Sequence, residues 1–179
     1  MTRAVLSIGS NLGDRLAHLR SVLDALGARV VAVSPVYTTA PWGGVDQDDY
    51  LNAVVVAEDP AFDDYAWLRF GQQCEQSAGR VREIRWGART LDVDVVQCTD
   101  DTGAAIARAT DPTLILPHPQ AHNRAFVLVP WLAVEPSAHL LVDGVAHPIA
   151  ELLGGLDRSE RDGVVVTDLV LGDESARPC

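Results

Sequence analysis

Four short runs of alternating apolar residues, separated by two stretches of helical spacing, limit what this chain can fold into more than any other feature. The runs "RAVLSIG" (3–9), "ARVVAVSPVYTT" (28–39), "YLNAVVVAE" (50–58) and "TLDVDVVQ" (90–97) read as strands, with Pro35 marking a bulge or an edge in the second. After the first strand, Leu12, Leu16, Leu19, Leu23 and Leu26 recur every three or four residues, and Gly27 follows as a stop. Between the third and fourth strands, the stretch from Asp59-Pro60 to Ala78 has the same spacing and ends at Gly79. The order strand-helix-strand-strand-helix-strand is the ferredoxin-like pattern. It predicts an α+β fold, a mainly antiparallel sheet with helices packed on it. A short helix near 148–155 and a further strand over 163–170 form a C-terminal extension. Residues 1–171 are expected to make one domain, and "GDESARPC" (172–179) a disordered tail.

The fourth strand carries a contradiction. Successive strand residues face opposite ways, so Asp92 and Asp94 share one face while Val93 and Val95 share the other. Two carboxylates about 6.6 Å apart along a strand form either a solvated face or a site for hard cations such as Mg²⁺. Just upstream, Arg80, Arg82, Arg85 and Arg89 fall within ten residues. A charge run of this kind is either a solvated loop or a set of guanidinium forks for phosphate oxygens. A polyphosphate carrying its own Mg²⁺ would satisfy both clusters at once.

The charge balance narrows the partners. The net charge is −11, and all 14 fixed cations are arginines because the chain contains no lysine. That excludes a P-loop and a Schiff-base lysine, and it argues against general nucleic-acid binding. The three cysteines, Cys74, Cys98 and Cys179, have no zinc-ligand spacing. The longest strongly apolar stretch, "AFVLVPWLAV" (125–134), is far short of the roughly 20 residues that span a membrane, and the N-terminus makes a poor signal peptide. A cytoplasmic protein is expected.

Two further stretches hold candidates. "LPHPQAHNRAF" offers His118 and Arg124 as a phosphate clamp, or else two loop histidines (His118 and His122) and an arginine beside a core phenylalanine, Phe126. "TTAPWGG" and "DDYLN" place Trp42, Tyr50 and Asn52 where they could stack a flat heterocycle and bond its edge, or simply join the core. Spacing alone decides neither.

Taken together, "IGSNLGDR" (8–15), "SPVYTTAPWGGVDQDDYLNAVV" (34–55), "EQSAGRVREIRWGARTLDVDVV" (75–96) and "LPHPQAHNRAFVLVPW" (116–131) resemble the 6-hydroxymethyl-7,8-dihydropterin pyrophosphokinases of folate biosynthesis. The resemblance implies transfer of a pyrophosphoryl group from ATP to the pterin hydroxymethyl group, with release of AMP. It implies two Mg²⁺ ions on Asp92 and Asp94, and catalytic roles for Arg80 and Arg89. Gln72, Glu75, Arg82, Arg85, Arg89, His118 and Arg124 would meet ATP or the base of the arginine loop. The pterin would stack between Tyr50 and Phe126, with Thr39, Asn52 and the backbone around Ala40 and Trp42 reading its edge. Small-molecule substrates and a monomer are expected. Ala40 stands where some family members carry proline. The rival readings are a sugar-nucleotide transferase built on D-x-D and a ferredoxin-like regulatory module that binds a small ligand.

Overall fold

The protein is described by a computed structural model covering residues 2–41, 48–79 and 89–172. In chain order the elements are β1 (Thr2–Ser10), α1 (Arg15–Leu26), β2 (Val30–Val33), β3 (Tyr37–Thr39), β4 (Tyr50–Asp59), α2 (Asp64–Ser77) and β5 (Asp92–Thr99). They continue with α3 (Ala125–Val134), β6 (His139–Val142), β7 (Val145–Pro148), α4 (Ile149–Gly155), α5 (Arg158–Asp162) and β8 (Val165–Val166).

The helix ends follow from local chemistry. Asp14 and Asp63 each accept a hydrogen bond from a first-turn amide, Ala17 N at 3.0 Å and Ala66 N at 2.7 Å. Gly27 closes α1 with a positive φ of 54°. The leucine stripe begins one turn later than its spacing suggests, because α1 starts at Arg15 and leaves Leu12 exposed in the preceding turn.

The sheet is antiparallel throughout, in the order β5-β1-β4-β3-β8, with β2 also paired to β4. The strand expected over 28–39 is split into β2 and β3 on either side of Ser34-Pro35-Val36, as the proline's missing donor favours. The strand expected over 163–170 is reduced to Val165 and Val166, both exposed. No element is predicted over 125–147. There the structure has α3, with Pro130 inside it, and a hairpin of β6 and β7 turning at Asp143-Gly144, both with positive φ.

Strand alternation sorts the core. Ala4, Leu6, Ile8, Leu51, Ala53, Val55, Val93 and Val95 face α1 and α2, around the fully buried Trp67. Val5, Val54 and Val96 face α3 and Leu140 of β6, around the buried Trp131. Each tryptophan N–H keeps a partner: Trp67 donates to Thr2 Oγ1 at 2.9 Å and Trp131 to Glu135 Oε2 at 2.8 Å.

Helix α2 crosses β5 so closely that a Cβ on Gly71 would sit 3.1 Å from Val93 Cγ1 and 3.2 Å from the Val93 carbonyl. Gly71→Ala is therefore expected to lower stability by about 1 kcal/mol, overpacking outweighing the gain in helix propensity. A denaturant titration checks this; a stabilised variant would show that β5 yields freely.

Candidate functional site

The apolar alternation gives way to polar residues toward one end of the sheet, on the α3 face. Ser7 and Gly9 of β1, Thr39 of β3, Tyr50 and Asn52 of β4, and Asp92 and Asp94 of β5 all line one cavity of about 370 Å³. Ala40, Arg89, His118, Arg124 and Phe126 complete its wall. The β1 pairings put Gly9 opposite Asn52 on one side and Asp92 on the other. Asp92 and Asn52 thus lie two strand spacings apart, about 10 Å, across a floor that carries no side chain at its centre. A Cβ at Gly9 would come within 2.8 Å of Asn52 Oδ1, so glycine keeps that floor open.

The described arginines of the cavity sit on the carboxylates. Arg89 Nη1 donates to Asp92 Oδ2 at 2.6 Å, and Arg124 Nη1 to Asp94 Oδ2 at 3.3 Å. The Arg124 guanidinium also lies 5.6 Å from the centre of the Phe126 ring. Burial, reinforced by the charge of Asp92, pushes the Asp94 carboxyl up to about 6 despite Arg124 and Arg89. Such a carboxylate favours any cation that can share it.

His118 is brought to the site by a kink in β5. The β1–β5 register shifts between Val5 and Leu6, and the Val96 carbonyl accepts from His118 N at 2.8 Å. Burial and the Arg124 charge push the imidazole down to about 4, so it is neutral at pH 7. Its Nδ1 accepts from Gln120 N at 3.2 Å, which puts the ring proton on Nε2, 3.9 Å from Asp94 Oδ2. His118 therefore offers a neutral N–H donor to the cavity.

Of the residues singled out in the sequence, Thr39, Ala40, Tyr50, Asn52, Arg89, Asp92, Asp94, His118, Arg124 and Phe126 share this cavity. Asn52 Nδ2 donates to Thr39 Oγ1 at 2.6 Å, which orients the amide. Two others stand apart from its wall. Gln72 is exposed on α2, and Glu75 is buried, its Oε1 accepting from Val93 N at 3.0 Å. Trp42, Arg80, Arg82 and Arg85, and the tail from 173 onward, lie outside the described residues. Ser7 and Gly9 were not singled out, although the alternation of β1 places both on the face opposite Leu6 and Ile8.

Among the described residues no cluster of three or more His, Cys, Asp or Glu side chains could hold a metal ion, and none of their helices is long and apolar enough to cross a membrane. Two carboxylates on the cavity wall nevertheless fit Mg²⁺, which is commonly held by one or two carboxylates and completed by substrate phosphates and water.

Comparison with known proteins agrees with this geometry. Residues 5–136 match the family model described as 7,8-dihydro-6-hydroxymethylpterin-pyrophosphokinase (HPPK). The chain is 54% identical over 167 residues to the 2-amino-4-hydroxy-6-hydroxymethyldihydropteridine pyrophosphokinase of Mycobacterium tuberculosis, covering 92% of this chain and 89% of that protein. The Mycobacterium leprae protein of the same name is 55% identical over 182 residues, covering 99% of this chain and 95% of the other. Among solved structures, an HPPK-DHPS crystallised with substrates superposes with a TM-score of 0.59 at 11% identity. A Plasmodium falciparum HPPK-DHPS superposes with a TM-score of 0.59 at 12% identity. Each covers 86% of this chain, which spans less than half of either of those chains. At such identity they speak for the fold alone.

Proposed function

This chain belongs to the 7,8-dihydro-6-hydroxymethylpterin-pyrophosphokinase family, and from that premise we propose that it transfers the pyrophosphoryl group of MgATP to the hydroxymethyl group of 6-hydroxymethyl-7,8-dihydropterin. The hydroxymethyl oxygen bonds to the β-phosphorus while the bond from that phosphorus to the oxygen leaving with AMP breaks, and the hydroxyl proton passes to solvent water. The observation that carries the reading is the row Asp92–Gly9–Asn52 across three neighbouring strands. A carboxylate pair and arginines stand at one end of the open floor, and an oriented amide beside Thr39 at the other.

On this reading Asn52 and Thr39 bond the polar edge of the pterin, with the backbone at Ala40 nearby, and Tyr50 and Phe126 stack on its ring. Arg89, Arg124 and the Nε2–H of His118 bind phosphate oxygens. Arg89 is catalytic, stabilising charge on the transferred group. Asp92 and Asp94 would hold two Mg²⁺ ions, which when bound would supply charge neutralisation for the phosphoryl transfer. Arg80 shares the catalytic role, Arg82, Arg85 and Gln72 belong to ATP binding, and Trp42 belongs to pterin binding. Glu75 acts from behind the wall by fixing β5. The order β5-β1-β4-β2 with α1 and α2 on one face supports the ferredoxin-like reading of residues 1–171 as one domain. The net charge of −11 supports small-molecule substrates rather than nucleic acid, and the protein acts as a monomer.

Incubation with Mg²⁺, ATP and hydroxymethyl-dihydropterin should yield AMP and the pterin diphosphate in equal amounts. Turnover of a sugar nucleotide without AMP would refute the reading. Gly9→Ala gives a finer check. Its methyl displaces the Asn52 amide, so the pterin KM should rise by about 10-fold or more while the ATP KM changes little. Equal changes in both would place Asn52 outside the pterin subsite.

A further inference from the structure

The "SNLGDR" turn (10–15) follows Gly9 and is not part of the cavity wall, yet it is tied to the cavity from two sides. Asn11 is only 1% exposed, so both ends of its amide need partners inside the protein. Its Oδ1 accepts from the backbone N–H of Arg89 at 2.7 Å, and its own N–H donates to the Arg89 carbonyl at 3.1 Å. The same side chain's Nδ2 donates to the Asp48 carbonyl at 3.2 Å, and Arg15 Nη1 takes the next carbonyl, Asp49, at 2.7 Å. Tyr50 follows directly at the start of β4, and Arg89 in turn holds Asp92.

One buried amide therefore grips the backbone of Arg89 and the residues that lead into the Tyr50 wall. We propose that Asn11 is a positioning residue. It sets the Arg89 guanidinium against Asp92 and couples that placement to the Asp48–Tyr50 segment, so that both substrate subsites share one fixed reference point. This rests on the reading of Arg89 as the arginine that stabilises the transferred group. Asn11 touches no substrate; it acts through Arg89 and through the Asp48 carbonyl. Two hydrogen bonds hold Arg89 and one holds Asp48, so loss of the side chain leaves Arg89 a single backbone bond and leaves the second segment tied only through Arg15 at Asp49.

The test is a double-variant cycle on kcat with both KM values. Asn11→Ala should lower kcat by about 10- to 100-fold, the cost of misplacing a catalytic group by about an ångström. It should also raise the pterin KM more than the ATP KM. In an Arg89→Ala background the same change should lower kcat by less than about 3-fold, because the group it positions is already gone. Equal losses in the two backgrounds would overturn the coupling and leave the role of Arg89 standing. A fully active Arg89→Ala would overturn both together. If Asn11→Ala does not fold, Asn11→Asp keeps an acceptor for Arg89 N–H and loses the donor to Asp48. It should raise the pterin KM by a larger factor than it lowers kcat, and the opposite order would overturn the proposal.

Discussion

Asp92→Asn and Asp94→Asn are each expected to reduce AMP formation by about 1,000-fold or more while leaving the protein folded. The carboxylates are the hard-oxygen donors on a wall otherwise supplied with guanidinium, imidazole, amide and hydroxyl groups. An amide in either place keeps the shape and loses the charge a divalent cation needs. Stability should respond in the opposite sense at position 94. The Asp94 carboxyl is raised from 3.8 to about 6, so the folded, metal-free protein binds that proton more tightly than the unfolded chain does. Stability is then lost as pH rises from about 4 through about 6, and the penalty stays in full above that range. The side chain is 34% exposed, so solvent screening reduces the cost to about 1 kcal/mol. Without Mg²⁺ at neutral pH, Asp94→Asn should melt at the same temperature or up to about 4 °C higher, and the difference should vanish near pH 4. An Asp94→Asn protein that is inactive and markedly less stable at neutral pH would assign the carboxylate to structure instead.

Arg89→Ala should lower kcat by about 100- to 1,000-fold, with a smaller effect on the ATP KM. Its guanidinium lies 2.6 Å from Asp92 and its backbone is held by Asn11, so little of its entropy remains to be lost when charge develops. Arg89→Lys should not restore the rate, because an ammonium cannot bridge the carboxylate and a phosphate oxygen with a planar fork. Single-turnover measurement separates this from slow product release. A variant impaired only in ATP binding would move Arg89 from the catalytic group to the binding group.

Much of this is legible in the sequence alone. Period-two alternation identifies β1, β4 and β5, because each buries one face against α1 and α2. It also puts Asp92 and Asp94 on the opposite face from Val93 and Val95, as found. Helix α3 is not legible, since "AFVLVPWLAV" is apolar on all sides and carries a proline, leaving no stripe for the eye to follow. Glu75 shows a different limit: a carboxylate in a helix reads as a ligand contact, and only the fold reveals the backbone N–H it was placed to meet. The roles of Asn11 and Gly9 depend on which strands become neighbours, and spacing along one chain carries no such information.

Strand β5 is the outermost strand of its sheet, a position where unpaired backbone groups can recruit a strand from another molecule. Here three of those groups are taken. Glu75 takes the N–H of Val93, His118 takes the carbonyl of Val96, and Ile106 takes the carbonyl of Cys98. A residue of the cavity wall, His118, and two that stand behind it thus also guard the sheet edge against self-association. Glu75 makes its contact through its side chain, so a variant that removes that carboxylate would loosen β5 and bare the Val93 N–H at the edge together, and poor solubility in such a variant would be a direct result of the chemistry's placement.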